Sequence, residues 1–446
     1  MKDLSTGSIP GHIATMSITM AIGILVQTLY FFIDLYFVSK LGDAAIAGVT
    51  SAGNIWFVVL ALTQVLNVGT VALVSHAVGA QQRDRANLVF NQSLMLSIFM
   101  GLIVIVGVFL AAPVYMRTVG ADEATAQAGI DYLYGFAPGL GLQFAMIAMF
   151  ATLRGTGIVK PTMVLQMVTV LVNVILAPVL IVGWGTGKPM GTAGAGLAST
   201  ISVVVGVILS AWYFHRHEKY VSIHREQMRP QSAVWGRLLH IGLPVGLEFL
   251  LMAVAMAVTY WLIRNFGAAA QAGFGVAHGV MRIIMLPAMA VAFASAPIAG
   301  QNFGARKPER VRETFRWTAL VSIVLMLLLT ILCQFESEVF MRIFTAEAAV
   351  VAIGAHVLII SSWSFAANGL IFSCSSMFQA LGNTWPTIIA SAIRLVLFVV
   401  PAFWLAAQPD FEIHHLWYAS VASMVLQSGV SYLLVRREFS RRLAPA

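Results

Sequence analysis

Residues 88–112 read LVFNQSLMLSIFMGLIVIVGVFLAA, 25 positions without one charged side chain. A helix of about 20 apolar residues crosses a hydrocarbon core roughly 30 Å thick. The stretch is continuously apolar rather than alternating, so it fits a membrane helix and not a barrel strand. Working outward, comparable runs lie at 13–37, 47–77, 129–153, 163–183 and 193–214. A second set follows at 239–263, 270–300, 317–333, 352–380, 388–406 and 416–435. The pattern predicts twelve spans.

Composition agrees with that reading. The 446 residues are 59% hydrophobic and 10% charged, whereas a soluble domain carries about a quarter charged residues. So few charges cannot cover a chain of this length in water, which excludes a soluble enzyme, a disordered chain and a disulfide scaffold. Cys333 and Cys374 both lie inside apolar runs and read as small buried hydrophobes.

The net charge of +8 comes from cations between the apolar runs. With the N-terminus inside, 19 of the 26 Lys and Arg fall on the cytoplasmic side and five on the other, with Arg282 and Arg394 inside spans. That bias places both termini in the cytoplasm of a multi-pass protein of the cell (inner) membrane, and it argues against a nucleic-acid partner. The bilayer is the expected surrounding and a monomer the expected state. The longest polar stretch, 215–237, reads HRHEKYVSIHREQMRPQSAVWGR. It is expected to be a solvated cytoplasmic linker between an N-lobe, 1–214, and a C-lobe, 238–446.

A shift of 225 residues superposes the two halves without a gap. Gly42, Ala47 and Gly48 meet Gly267, Ala272 and Gly273, and Gly79, Ala80 and Arg85 meet Gly304, Ala305 and Arg310. Met116 and Arg117 meet Met341 and Arg342, while Gly157, Pro161 and Thr162 meet Gly382, Pro386 and Thr387. Each half holds an even number of spans, so both enter the membrane in the same sense. The expected fold is an all-α integral membrane protein, its twelve helices forming two six-helix lobes about a pseudo-two-fold axis along the membrane normal. Two such bundles meeting at a seam can rock between two openings, which is what a transporter needs.

Ionisable groups at depth are the candidates for function, because a charge at mid-membrane costs roughly 2.5–3.5 kcal/mol on insertion scales. Of 18 Asp and Glu, only Asp34 and Glu248 fall well inside predicted helices. Asp34 is the first candidate for the coupling ion, with Gln27 and Tyr30 at helical spacing on the same face. Asn173 is either its companion or a core amide. Glu248, four residues after Pro244, is either a second coupling group or the ion-pair partner of Arg282 or Arg394. Gln143 and its repeat mate Asn368 are expected to line a cavity together with Arg282. The sequence contains no GxxxxGK[ST], HExxH, GxSxG or CxxC, so neither ATP use nor enzymatic chemistry is indicated.

Five segments then carry a resemblance. They are 27-QTLYFFIDLYFVSKLG-42, 153-LRGTGIVKPT-162, 242-GLPVGLEFLL-251, 300-GQNFGARKPERV-311 and 381-LGNTWPT-387. In this order, on a duplicated chain, they resemble the multidrug and toxic compound extrusion (MATE) transporters, closest to the DinF-like branch. The resemblance implies export of amphipathic, often cationic small organic compounds, driven by inward H⁺ or Na⁺ without a cofactor.

By that resemblance Asp34 matches the first-helix acid, and Gln27 and Tyr30 match N-lobe cavity positions. Asn173 matches a fifth-helix asparagine, and Ser199, within 194-GAGLAS-199, matches a sixth-helix hydroxyl. The aspartate expected four residues after Asn173 is Ala177 here, and the first-helix proline of some members is Thr19. The tenth-helix acid is Asn368, and Glu248 stands one turn before the seventh-helix glutamate position of the NorM and eukaryotic branches, here Met252. The missing acid favours H⁺ over Na⁺. A flippase for lipid-linked intermediates, or an exporter of one metabolite, is the alternative on the same fold.

Overall fold

The structure is a computed structural model that describes residues 1–443, with the backbone alone at 29–32. Among the described residues there are thirteen α-helices. The first six are α1 (Ile9–Ser39), α2 (Asp43–Gly79), α3 (Arg83–Val119), α4 (Glu123–Gly155), α5 (Lys160–Ile181) and α6 (Gly191–Arg216). The others are α7 (Ser232–Ile263), α8 (Ala268–Gly304), α9 (Pro308–Arg342), α10 (Ala348–Ser362), α11 (Phe365–Ala380), α12 (Trp385–Ala406) and α13 (Ile413–Arg442). Eleven are long and apolar enough to span a bilayer, and α10 with α11 makes a twelfth, bent by 56°. Helices satisfy every mid-segment backbone group internally, which hydrocarbon demands.

The 225-residue register survives in detail. α2 and α8 are both 37 residues long, and α5 and α12 are both 22. Gln81 and Arg306, non-glycine mates one residue into equivalent turns, hold φ at 58° and 55°. A Cβ on Gly129 would stand 3.0 Å from the Gly48 carbonyl, and one on Gly354 would stand 3.0 Å from the Gly273 carbonyl. Met116 and Met341 close the two contacts from the same side. Equivalent small residues thus permit equivalent close helix approaches in both halves.

The chain divides into two compact units. Unit 1 comprises Met1–Asp3 and Thr19–Leu243; unit 2 comprises Leu4–Ile18 and Pro244–Ala446. This division differs from lobes of 1–214 and 238–446 separated by a linker. The start of α7 belongs to unit 1 because glycines let two backbones meet: Gly69 faces the carbonyl of Leu238, and Gly242 faces that of Val65. Leu4–Gly7 belongs to unit 2. There Gln301 Oε1 accepts the Leu4 N–H at 2.9 Å, Asn302 Nδ2 donates to the Leu4 carbonyl at 3.1 Å, and Lys307 Nζ donates to the Ser5 carbonyl at 2.8 Å. These donors and acceptors come from the segment 300-GQNFGARKPERV-311.

The expected solvated linker is instead a strap docked along α3. Arg83, Asn87 and Asn91, spaced one turn apart, present their side chains to the backbone of 219–224. Asn87 Oδ1 accepts the Ser222 N–H at 2.8 Å, and Asn91 Oδ1 accepts the His224 N–H at 2.9 Å while its Nδ2 donates to the Ser222 carbonyl at 3.0 Å. Gln92 Oε1 accepts the Gln231 N–H at 2.9 Å. Amides so placed give loop groups the partners that water would otherwise supply.

The expected single span 352–380 is two helices. The break frees carbonyls, and α9 supplies their donors: Gln334 Nε2 reaches Ile359 O at 2.7 Å, and Thr330 Oγ1 reaches Ser362 O at 2.8 Å. The mate, α4, stays continuous although it carries Pro138. There Thr200 Oγ1 accepts the Gly139 N–H at 3.1 Å and donates to the Gly135 carbonyl at 2.7 Å, repairing the gap left by the ring.

Candidate functional site

In unit 1 an apolar layer fixes the level of three polar side chains. Val38 of α1, Ala177 and Ile181 of α5, and Ala195 of α6 belong to one buried cluster. Asp34 is one turn before Val38, Asn173 one turn before Ala177, and Ser199 one turn after Ala195. Side chains four apart share a helix face, so the next layer holds Asp34, Asn173 and Ser199 together. The layering has a direct check: Asn173 Nδ2 donates to Ser199 Oγ at 3.4 Å.

Asp34 is 6% exposed. Its Oδ1 is buried and accepts no hydrogen bond among the described residues, and no cation there lies within ion-pair distance of it. Among the described residues, then, Oδ1 has neither the donor nor the cation that normally accompanies buried charge. Gln27, on the same helix, is exposed. Tyr30 falls where the side chains lie outside the described residues. Gln143, on α4, is half-buried.

In unit 2 the polar centre is a cavity of about 90 Å³ between α7, α11, α12 and α13, lined by Glu248, Asn368, Ser391, Arg394 and Gln427 among apolar neighbours. Ser391 Oγ donates to Glu248 Oε1 at 2.8 Å and accepts from Gln427 Nε2 at 3.1 Å. Gln427 is 3% exposed, and its Oε1 has no hydrogen-bond partner among the described residues. Arg394 shares the cavity and interacts electrostatically with Glu248 without closing an ion pair. Asn368 Nδ2 bonds back to the Ser364 carbonyl at 3.3 Å.

Two expectations change here. Arg282 neither lines this cavity nor pairs with Glu248: it is exposed on α8, near His278 and Tyr260. Glu248 is held chiefly by a hydroxyl–amide relay rather than by an arginine. Ser391 and Gln427 were missed from the sequence. Gln427 had a signal, an amide in mid-span, whereas Ser391 looks like any other helix serine. Also missed was a polar chain in unit 1, in which Asn67 Nδ2 donates to Gln64 Oε1 at 2.7 Å and Arg154 Nη2 donates to Asn67 Oδ1.

Two duplicated membrane bundles, each with a polar centre at depth, define a carrier. The family profile MatE matches residues 19–179 and again 244–404, two segments offset by the same 225 residues. The chain belongs to the MatE family. It is a membrane transporter and not an enzyme.

Among its relatives is the probable multidrug resistance protein YoeA of Bacillus subtilis (strain 168), 24% identical over 89% of this chain and 85% of that one. An FAD transporter of Shewanella oneidensis is 23% identical over 98% of this chain and 97% of its own. The solved structure of a MOP superfamily transporter from Pyrococcus furiosus superposes with a TM-score of 0.92. It is 24% identical and covers 100% of this chain and 98% of its own. That likeness shows the shared fold.

Proposed function

We propose that this transporter is a multidrug exporter that expels amphipathic, cationic organic compounds in exchange for protons, with Asp34 as the group that takes up the proton. The observation that carries the reading is the buried Asp34 carboxyl whose Oδ1 accepts no hydrogen bond among the described residues, in the same layer as Asn173 and Ser199. Protonation on the outer side neutralises it, the first helix rearranges and the substrate leaves; loss of the proton inside resets the site. Hard cations take several oxygen ligands; this layer offers the single carboxylate of Asp34, and the next turn of α5 brings Ala177 rather than an acid, which favours H⁺ over Na⁺. In this reading Glu248, tied to Ser391, shapes the unit 2 cavity, and Gln27, Tyr30, Gln143 and Asn368 contribute to substrate contacts. The working protein is a monomer of the cell membrane with both termini in the cytoplasm, as its Lys/Arg bias indicates.

The FAD-transporting relative and Arg394 in the unit 2 cavity favour a second reading, export of an anionic metabolite. Transport in proteoliposomes separates the two. The first reading requires uptake of fluorescent organic cations driven by an imposed pH gradient and indifferent to Na⁺. Transport of FAD with no transport of the cations would replace it by the second.

A further inference from the structure

The end of unit 2 where α12 begins and α13 finishes holds a second cavity, of about 210 Å³, outside the polar centre described above. Asn383, Trp385, Arg437, Glu438 and Arg441 line it, together with Pro386, Ile389 and Leu434. Glu438 is the anchor. It is 5% exposed, and its two oxygens pair with Arg441 at 3.7 Å and Arg442 at 3.1 Å. Arg442 is used further by donating to the Leu381 carbonyl at 2.8 Å. The Arg437 side chain, exposed and one turn from Arg441, has no hydrogen bond or ion pair among the described residues.

Charge and shape together specify the occupant. Two guanidinium groups, those of Arg437 and Arg441, and the one carboxylate of Glu438 line the cavity, and that carboxylate also pairs with Arg442 outside the lining, so positive charge is in excess there. The opening turn of a 22-residue helix, α12, adds the positive end of its dipole. One wall is apolar, with Ile389 exposed and the Trp385 ring beside it. Tryptophan and arginine at a helix end mark the bilayer surface, where phosphate esters sit on apolar stems. The repeat mates keep the composition with the places exchanged: Lys160 stands for Trp385, Trp212 for Arg437 and Arg216 for Arg441.

We propose that this pocket binds a phosphate group between Arg437 and Arg441, carried by an anionic membrane lipid or free in solution. Guanidinium groups hold phosphate oxygens by paired charge-assisted hydrogen bonds. Glu438 keeps Arg441 in place, and Arg437 is the free arm that closes on the ligand.

The test is native mass spectrometry of the purified full chain with phosphatidylglycerol, repeated with diacylglycerol, which lacks the phosphate. Arg437→Gln and Arg441→Gln should each weaken phosphatidylglycerol binding by about fivefold, and the double variant by about 25-fold. Arg436→Gln, next in sequence but outside the cavity, should bind as the parent does. Arg437→Gln removes an exposed, unpaired side chain, so its effect does not depend on damage to the fold. Inorganic phosphate and glycerol 3-phosphate are the competing arms. Displacement of the lipid by either at millimolar concentration makes the site a free-phosphate site, and persistence of the lipid makes it a headgroup site. Equal binding of diacylglycerol, or a double variant that retains phosphatidylglycerol as well as the parent, overturns the proposal.

Discussion

Replacing Asp34 with asparagine preserves shape and removes the one group in its layer able to carry a proton. If a monovalent cation leaves as one proton enters, a pH gradient of one unit supplies about 1.4 kcal/mol, or about tenfold accumulation of substrate. In the proposed mechanism one carboxyl carries the proton. Asp34 is buried with Oδ1 unpartnered, whereas Glu248 is tied to Ser391. One titrating carboxyl gives about tenfold per unit, and two would give about a hundredfold. In proteoliposomes the parent should therefore accumulate a fluorescent cation about tenfold, Asp34→Asn should show no accumulation, and Glu248→Gln should keep the tenfold ratio. Folding should not suffer. Oδ1 has no partner among the described residues to lose and a charge at depth costs roughly 2.5–3.5 kcal/mol on insertion, so the amide should melt at the same temperature or higher. A properly folded Asp34→Asn protein that still concentrates substrate tenfold per pH unit would refute the reasoning.

Three further outcomes are expected. Gly129→Ala and Gly354→Ala each press a methyl against a backbone carbonyl and a methionine; each should cost about 1–3 kcal/mol by overpacking. The two should lower the apparent melting temperature alike, and a large inequality would break the equivalence of the repeats. Asn91→Ala leaves the His224 N–H and Ser222 carbonyl without their side-chain partner, a loss of about 1–3 kcal/mol. Limited proteolysis within 219–231 should then become faster while the spans stay protected. Asp122 caps α4 by accepting the Thr125 N–H at 2.7 Å, and that hydrogen bonding holds its pKa below the ordinary carboxylate value. Its contribution to stability is therefore complete above the ordinary pKa and fades as pH falls through the lowered one. Asp122→Asn, an equally good cap, should show less of that acid-side loss in melting curves.

The sequence alone determined the class of fold. Hydrocarbon tolerates only closed hydrogen-bond ladders, so uninterrupted apolar length translates into spans, and an unbroken 225-residue offset translates into repeated bundles. The same economy made Asp34 visible, because a carboxyl among apolar residues stands out with no knowledge of its neighbours. What depended on partners distant in the chain was decided only by the tertiary structure. The strap at 215–237 looks solvated by composition, yet Asn87, Asn91 and Gln92 of another helix hold its backbone. The break at 363–364 is invisible because its stabilising donors, Thr330 and Gln334, belong to α9. Whether Glu248 met an arginine or a hydroxyl turned on the side-by-side packing of α7, α12 and α13, and no single-chain periodicity encodes such packing. Local chemistry sets which segments enter the membrane; side-chain pairing between segments sets which of their polar groups remain unpartnered, and there the candidate function lies.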